Sequence, residues 1–182
     1  MATSRIIIFL AIILVVTTRQ ITEGETLAHS LFDFFGYLLI VACGMGRLYT
    51  TAYLGGYKNK ELITHGPFSV VRNPLYVCSW LGFTGFALFS NNLWVILLVP
   101  VSFLALYHAL IRREEVFLEE AFGDKYKNYC KNTPRFFPNF SKFKQPPELV
   151  LTSHAFLKGL LDNIWWFIIP PVFELIEMFE YF

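Results

Sequence analysis

The sequence predicts an all-α fold: an integral membrane helical bundle of about five transmembrane helices, forming one domain over residues 1–182, with a cytoplasmic polar region between the third and fourth helices. Three observations predict it. Charged residues are 16% of the chain and hydrophobic ones 55%, whereas a soluble domain carries about 25% charged residues. Apolar runs recur at close to the ~20 residues a helix needs to cross a bilayer. Basic residues collect in two of the connecting segments and avoid the others.

The elements follow in chain order. Arg5 precedes an apolar run at 6–18. It resembles a signal peptide, but Thr17-Thr18-Arg19-Gln20 offers no small-residue cleavage site, so the run is read as a retained first helix. The second run, 31–54, is broken only by Asp33, Arg47 and small residues. The third, 75–90, is rich in Gly and Phe and slightly short, which suits a helix that tilts or ends in a protein-lined cavity. The fourth, 93–111, contains Pro100. Ser90-Asn91-Asn92 joins the third and fourth so tightly that they form an antiparallel hairpin. The fifth, 160–179, carries Asp162, Glu174, Glu177 and a central Pro170-Pro171, and it either spans with a kink or lies at the interface.

Charge orients the bundle. Lys58, Lys60 and Arg72 lie before the third run, and Arg112, Arg113, Lys125, Lys127, Lys131, Arg135, Lys142 and Lys144 lie after the fourth. The positive-inside rule places 57–73 and 112–149 in the cytoplasm, and Met1 with them. A helical start at 114–129 gives way to Pro134, Pro138 and Pro146-Pro147, which forbid a continuing helix. The net charge of +1 and the lack of a long basic run predict no nucleic-acid partner. Cys43, Cys78 and Cys130 form no CxxC or Cys/His cluster, so no metal site or disulfide is expected.

Two polar constellations remain. The first runs Leu62-Ile63-Thr64-His65-Gly66-Pro67-Phe68-Ser69-Val70-Val71-Arg72-Asn73-Pro74-Leu75-Tyr76. Gly66-Pro67 signals a turn; Asn73 can cap the next helix and Pro74 suits its first position. Taken alone it is a loop entering a helix. The second holds Arg112-Arg113-Glu114-Glu115, Leu118, Phe122-Gly123-Asp124-Lys125-Tyr126, Tyr129, Pro134-Arg135 and Pro138, where a membrane helix runs straight into four charges. Taken alone it is a solvated helix end with surface ion pairs, or a carboxylate at a cavity mouth facing a cationic ligand. The hairpin brings the two together, so that Arg72, Asn73 and Tyr76 face Glu114 and Glu115 across a short gap.

These stretches resemble the isoprenylcysteine carboxyl methyltransferase family, within the wider superfamily that includes phospholipid methyltransferases. The family's L-V-T-x-G-x-Y-x-x-x-R-H-P-x-Y matches residues 62–76, and its E-E-x-x-L-x-x-x-F-G-x-x-Y-x-x-Y matches residues 114–129, ahead of Pro134 and Pro138. The core of the resemblance is residues 60–138. It implies S-adenosylmethionine as cofactor. By position it assigns cofactor contacts to Lys60, Glu61, Leu62, Ile63, Phe68, Asn73, Pro74, Leu75, Tyr76 and Glu114. Asn73 stands where the family has histidine and cannot carry charge. Phe68 replaces a tyrosine, and a substrate-contacting arginine of the eukaryotic enzymes falls on Leu110.

The cofactor's chemistry matches these residue types. Its ammonium needs an acceptor (Glu114 or Glu115), its carboxylate a donor (Arg72 or the helix start at Asn73), its adenine an apolar slot (Leu62, Ile63, Phe68), and its sulfonium an aromatic face (Tyr76). Methylating a carboxylate needs alignment and exclusion of water but no base, and an arginine such as Arg112 could orient it. An amine acceptor would need a base, with Glu115 or His65 as candidates. The catalytic candidates are thus Glu115 and Arg112. The expected partner is a lipophilic or prenylated substrate arriving through the bilayer, alongside membrane lipid. Carboxyl O-methylation of an isoprenylcysteine-like group leads. The alternatives are N-methylation of a phospholipid amine, a sterol-type reductase, and a non-catalytic membrane scaffold.

Overall fold

The computed structural model describes residues 26–54, 61–146, 153–168 and 170–171. Its regular elements are helices: α1 (Leu27–Leu54), α2 (Pro67–Val70), α3 (Pro74–Phe89), α4 (Leu93–Phe122), α5 (Asp124–Asn132), a 3-10 turn at Phe140–Lys142, and α6 (Ser153–Asn163). Among the described residues the β pairing consists of an isolated antiparallel bridge between Gly66 and Lys144. The expected first helix at 6–18, Lys60 and the 172–179 end of the fifth run lie outside the described residues.

Two helices, α1 with 28 residues and α4 with 30, are long and apolar enough to cross a membrane. Their most apolar stretches are only 22% and 17% buried inside the protein, and Phe34, Met45, Leu97 and Val101 are largely exposed. A surface of that kind is stable against hydrocarbon and costly in water. Away from its ends and from Pro100 of α4, the backbone of such a helix pairs within itself, as a bilayer demands. The shorter α3 is sheltered between α1 and α4.

Local chemistry fixes the helix ends. Pro74 opens α3 at its first position, where a missing N–H costs nothing. The side chain of Asn92 caps α4 by accepting from Trp94 N at 3.0 Å and Val95 N at 3.4 Å. The expected hairpin forms at Ser90-Asn91-Asn92, whose residues are all buried, with Asn91 at φ 44°. Gly123, at φ 54°, separates α4 from α5 in a backbone region that side chains strain to enter.

The helical start expected at 114–129 is two elements: the end of α4, which runs well past its apolar part, and α5 beyond Gly123. The fifth apolar run is interrupted at Ile164, where α6 has ended at Asn163; helical bonds resume with Ile168 N donating to Ile164 O at 3.2 Å.

Small residues let α1 and α3 approach closely. A Cβ on Gly85 would come within 2.6 Å of the Gly36 carbonyl oxygen. Beyond α5, residues 133–144 fold back as a strap over the 66–73 loop. Arg72 N donates to Pro134 O at 2.8 Å, Asn139 N to Val70 O at 3.0 Å, and Gly66 N to Lys144 O at 2.7 Å. The strap therefore fixes the loop that leads into α3.

Candidate functional site

The start of α3, the second half of α4, the last turns of α1 and the inward side of α5 converge on one cavity of about 360 Å³. That volume lies within the range of small-molecule sites, about 300–1,000 Å³.

One wall comes from the first sequence constellation. Glu61, Leu62, Ile63, Phe68, Arg72, Asn73, Pro74, Leu75 and Tyr76 all line the cavity. Glu114 enters from α4, and its Oε2 accepts a hydrogen bond from the Tyr76 hydroxyl at 2.9 Å. Tyr107 and Leu118 lie on the same face of α4 as Glu114, and the Tyr107 ring packs beside Tyr76 with centroids 5.3 Å apart.

Glu115 and Arg112, the catalytic candidates, stand elsewhere. Successive residues on a helix are about 100° apart, so neither shares the direction of Glu114. Arg112 is exposed and does not line the cavity. Glu115 is buried behind the cavity wall, where it pairs with Arg72 Nη1 at 3.2 Å and with Arg135 through two contacts. This hydrogen-bonded carboxylate raises the Arg135 pKa above the ordinary arginine value. Arg72 is thus held from behind by Glu115 and by Cys130, whose sulfur accepts from Nη1 at 3.1 Å.

Asn73 also departs from expectation. It makes no capping bond to α3; its Nδ2 donates to the Arg135 carbonyl at 3.1 Å, tying the strap to the cavity rim. His65 packs beside Tyr53, with centroids 5.9 Å apart, rather than lining the cavity. Leu110, where the resemblance would put an arginine, is 47% exposed on the outer face of α4.

Sequence reasoning missed two parts of the site. Tyr126 and Tyr129 of α5 line it, and the Tyr129 hydroxyl donates to Phe68 O at 2.7 Å, which fixes that ring's backbone. Burial raises the pKa of both phenols, so they remain protonated donors at neutral pH. The other part is Arg47 of α1, the cation inside the second apolar run. Its Nε donates to Asn163 Oδ1 at 2.7 Å and its Nη1 to Ser79 Oγ, and the guanidinium lies 6.0 Å from the Trp166 ring. Both hydrogen-bond partners are neutral, and among the described residues no carboxylate lies within ion-pair distance of it. Arg47 and Ser79 both line the cavity. A cation deep within an apolar run is a signal that could have found it.

The profile of the phospholipid methyltransferase family matches residues 32–125, from early α1 through the first residues of α5. The cobalt-zinc-cadmium resistance protein CzcN of Cupriavidus metallidurans is 33% identical over 145 residues, covering 80% of this chain and 67% of that protein. The nickel-cobalt-cadmium resistance protein NccN of Alcaligenes xylosoxydans xylosoxydans is 28% identical over 174 residues, covering 96% of this chain and 81% of that protein. No solved structure gives a significant match. With more than half of its length under the family profile and its paired polar motifs around one cavity in a helical bundle, this chain belongs to the phospholipid methyltransferase family, whose members are membrane methyltransferases.

Proposed function

We propose that this chain transfers a methyl group from S-adenosylmethionine to an anionic group on a lipophilic acceptor, most simply the carboxylate of an isoprenylcysteine-like molecule. The observation that carries the reading is a pair of opposite charges in one cavity: Glu114 at its α4 wall and Arg47 at its α1 wall, the latter with neutral partners among the described residues.

The residues fit the cofactor. Glu114, held by Tyr76, accepts hydrogen bonds from the ammonium group. Leu62, Ile63 and Phe68 provide the slot for adenine, and Tyr76 and Tyr107 present aromatic faces that favour a cation. Arg72, fixed by Glu115, is the donor for the cofactor's carboxylate. When bound, the cofactor supplies an electrophilic methyl group on a sulfonium.

Arg47 is the receptor for the acceptor's anion. Ser79 and Asn163 hold the guanidinium in place without neutralising its charge. A carboxylate seated there is already ionised, so the site supplies orientation and dryness rather than a base. Arg47 takes over the task that the sequence assigns to Arg112. Glu115 becomes a positioning residue acting through Arg72. The acceptor reaches the site sideways from the bilayer, and the cofactor arrives from the cytoplasmic face, where the basic segments 57–73 and 112–149 lie.

The family match gives weight to a second reading, N-methylation of a phospholipid amine, in which Arg47 would hold the lipid phosphate. The names of the two relatives connect them with metal resistance. Among the described residues no three His, Cys, Asp or Glu side chains converge.

One assay tests the proposal. Purified protein in vesicles of host lipid extract receives cofactor labelled in its methyl group, and the lipid product is then treated with base. Label released as volatile methanol marks a carboxyl ester and supports the reading. Label that stays non-volatile through base treatment, on the nitrogen of the released headgroup, marks an amine and replaces it with the second reading.

A further inference from the structure

The strap at 133–144 does more than fix the loop at the cavity. It presents a row of aromatic side chains outward: Phe137 is 84% exposed, Phe140 77% and Phe143 45%. Three apolar rings left exposed by the described residues on a short, well-pinned segment call for an occupant.

Depth identifies it. Phe136, next to Phe137, packs edge-on against Trp80, with ring centroids 5.9 Å apart. Trp80 is six residues into α3, about 9 Å along its axis from Pro74. The indole N–H of Trp80 donates at 3.3 Å to the carbonyl of Pro100, well inside the apolar part of α4. Phe136 therefore reaches below the ends of the membrane helices, and Phe137 meets it at 5.9 Å in an edge-to-face contact. A ring fully exposed at that depth faces lipid rather than water.

The flanking charges fit the same medium. Lys131, Lys142 and Lys144 are exposed at the two ends of the strap, where the headgroup phosphates of the same leaflet would lie. Aromatic rings with basic residues beside them are the composition of an interfacial anchor. The backbone bonds from Arg72, Asn139 and Gly66 to strap or loop partners, with the Arg135–Glu115 ion pair, hold the segment in this position.

We infer that residues 134–143 form a re-entrant interfacial anchor, with Phe137 and Phe140 inserted at the boundary between headgroups and acyl chains of the leaflet that faces the cavity. The leaflet is the occupant of this aromatic surface. Because the anchor is bonded directly to Val70, Arg72 and Asn73, its seating in the bilayer sets the position of the cavity rim. This holds whatever methyl acceptor the cavity takes.

The test uses full-length protein with Phe137→Trp or Phe140→Trp, reconstituted in phosphatidylcholine–phosphatidylglycerol vesicles. The wild-type signal from its four tryptophans is subtracted. Both positions are exposed, so an added indole displaces no buried side chain. The expected result is blue-shifted emission from the added indole, at least twofold quenching by lipids brominated along the acyl chain, and little quenching by iodide. Emission typical of water, open to iodide and insensitive to brominated lipid, would overturn the proposal. So would protection from both quenchers that grows with protein-to-lipid ratio, since a second copy of the chain would then be the cover.

Discussion

The hydroxyl of Tyr76 donates a 2.9 Å hydrogen bond to Oε2 of Glu114, joining the third residue of α3 to α4 across 38 residues of sequence. A neutral donor thus orients the carboxylate without cancelling its charge, leaving its remaining lone pairs for a cationic ligand. A hydrogen bond to a charged group contributes about 1.5–3 kcal/mol when shielded and less when solvated. Tyr76→Phe should therefore weaken S-adenosylmethionine binding by roughly tenfold. Titration calorimetry checks this, and an unchanged affinity would separate Tyr76 from the cofactor.

Arg47 is the residue that should divide cofactor binding from turnover. Truncating a buried, hydrogen-bonded charge at a recognition site costs about 2–5 kcal/mol, and the part-buried Arg47 falls toward the lower end. Arg47→Ala should lower kcat/KM for the acceptor by at least about 100-fold, with cofactor affinity changed by less than about threefold. Arg47→Lys should recover only part of the loss, because an ammonium cannot hold Ser79, Asn163 and a ligand anion with the same fork. Steady-state kinetics with acceptor and cofactor varied separately give the split.

Glu115 and Arg112, adjacent to the site on one helix, should behave in opposite ways. Glu115→Ala leaves Arg72 and Arg135 facing each other without their shared carboxylate. Removing one member of a buried ion pair costs about 3–5 kcal/mol; the partial exposure of Arg135 puts the value toward the lower end. The apparent Tm in detergent should fall by several degrees. Arg112→Ala should leave stability within about 0.5 kcal/mol and activity intact. A catalytic loss in Arg112→Ala with normal melting would restore it to the reaction.

Gly85 and Gly123 should fail for different reasons when changed to alanine. At Gly85 the added methyl meets the Gly36 carbonyl, which has no rotamer to escape through. The α1–α3 contact must open, at about 1–3 kcal/mol. At Gly123 nothing lies within 4 Å of the new carbon, yet φ is +54°. The cost there is backbone strain, about 1–3 kcal/mol. Denaturation of each variant should show comparable losses, and a lipid-dependent change only for Gly85→Ala.

The apolar runs at 31–54, 75–90 and 93–111 were legible because length and hydropathy act locally; the first two became α1 and α3 with small shifts at their ends, and the third became α4, which continues past its apolar part to Phe122. Proximity of Arg72 and Tyr76 to Glu114 and Glu115 was legible because a three-residue link leaves an antiparallel hairpin as the outcome. Which glutamate faced the cavity was not, since 100° of helix rotation separates the two and the sequence does not state the rotation. Arg47 was missed because its partners lie far along the chain: Ser79 at a separation of 32 residues and Asn163 at 116. The tyrosines of α5 were inside the motif, but only the turn at Gly123 aims Tyr126 and Tyr129 back under the loop.

Calorimetric titration of S-adenosylmethionine into the full-length protein in lipid nanodiscs, beside Glu114→Gln, tests the central claim most directly. The account predicts saturable one-site binding by the wild type and an affinity loss of at least about 30-fold in the variant, with both proteins melting alike. Absence of saturable binding to folded wild-type protein, or equal binding by the variant, would contradict it and leave a membrane scaffold as the better reading.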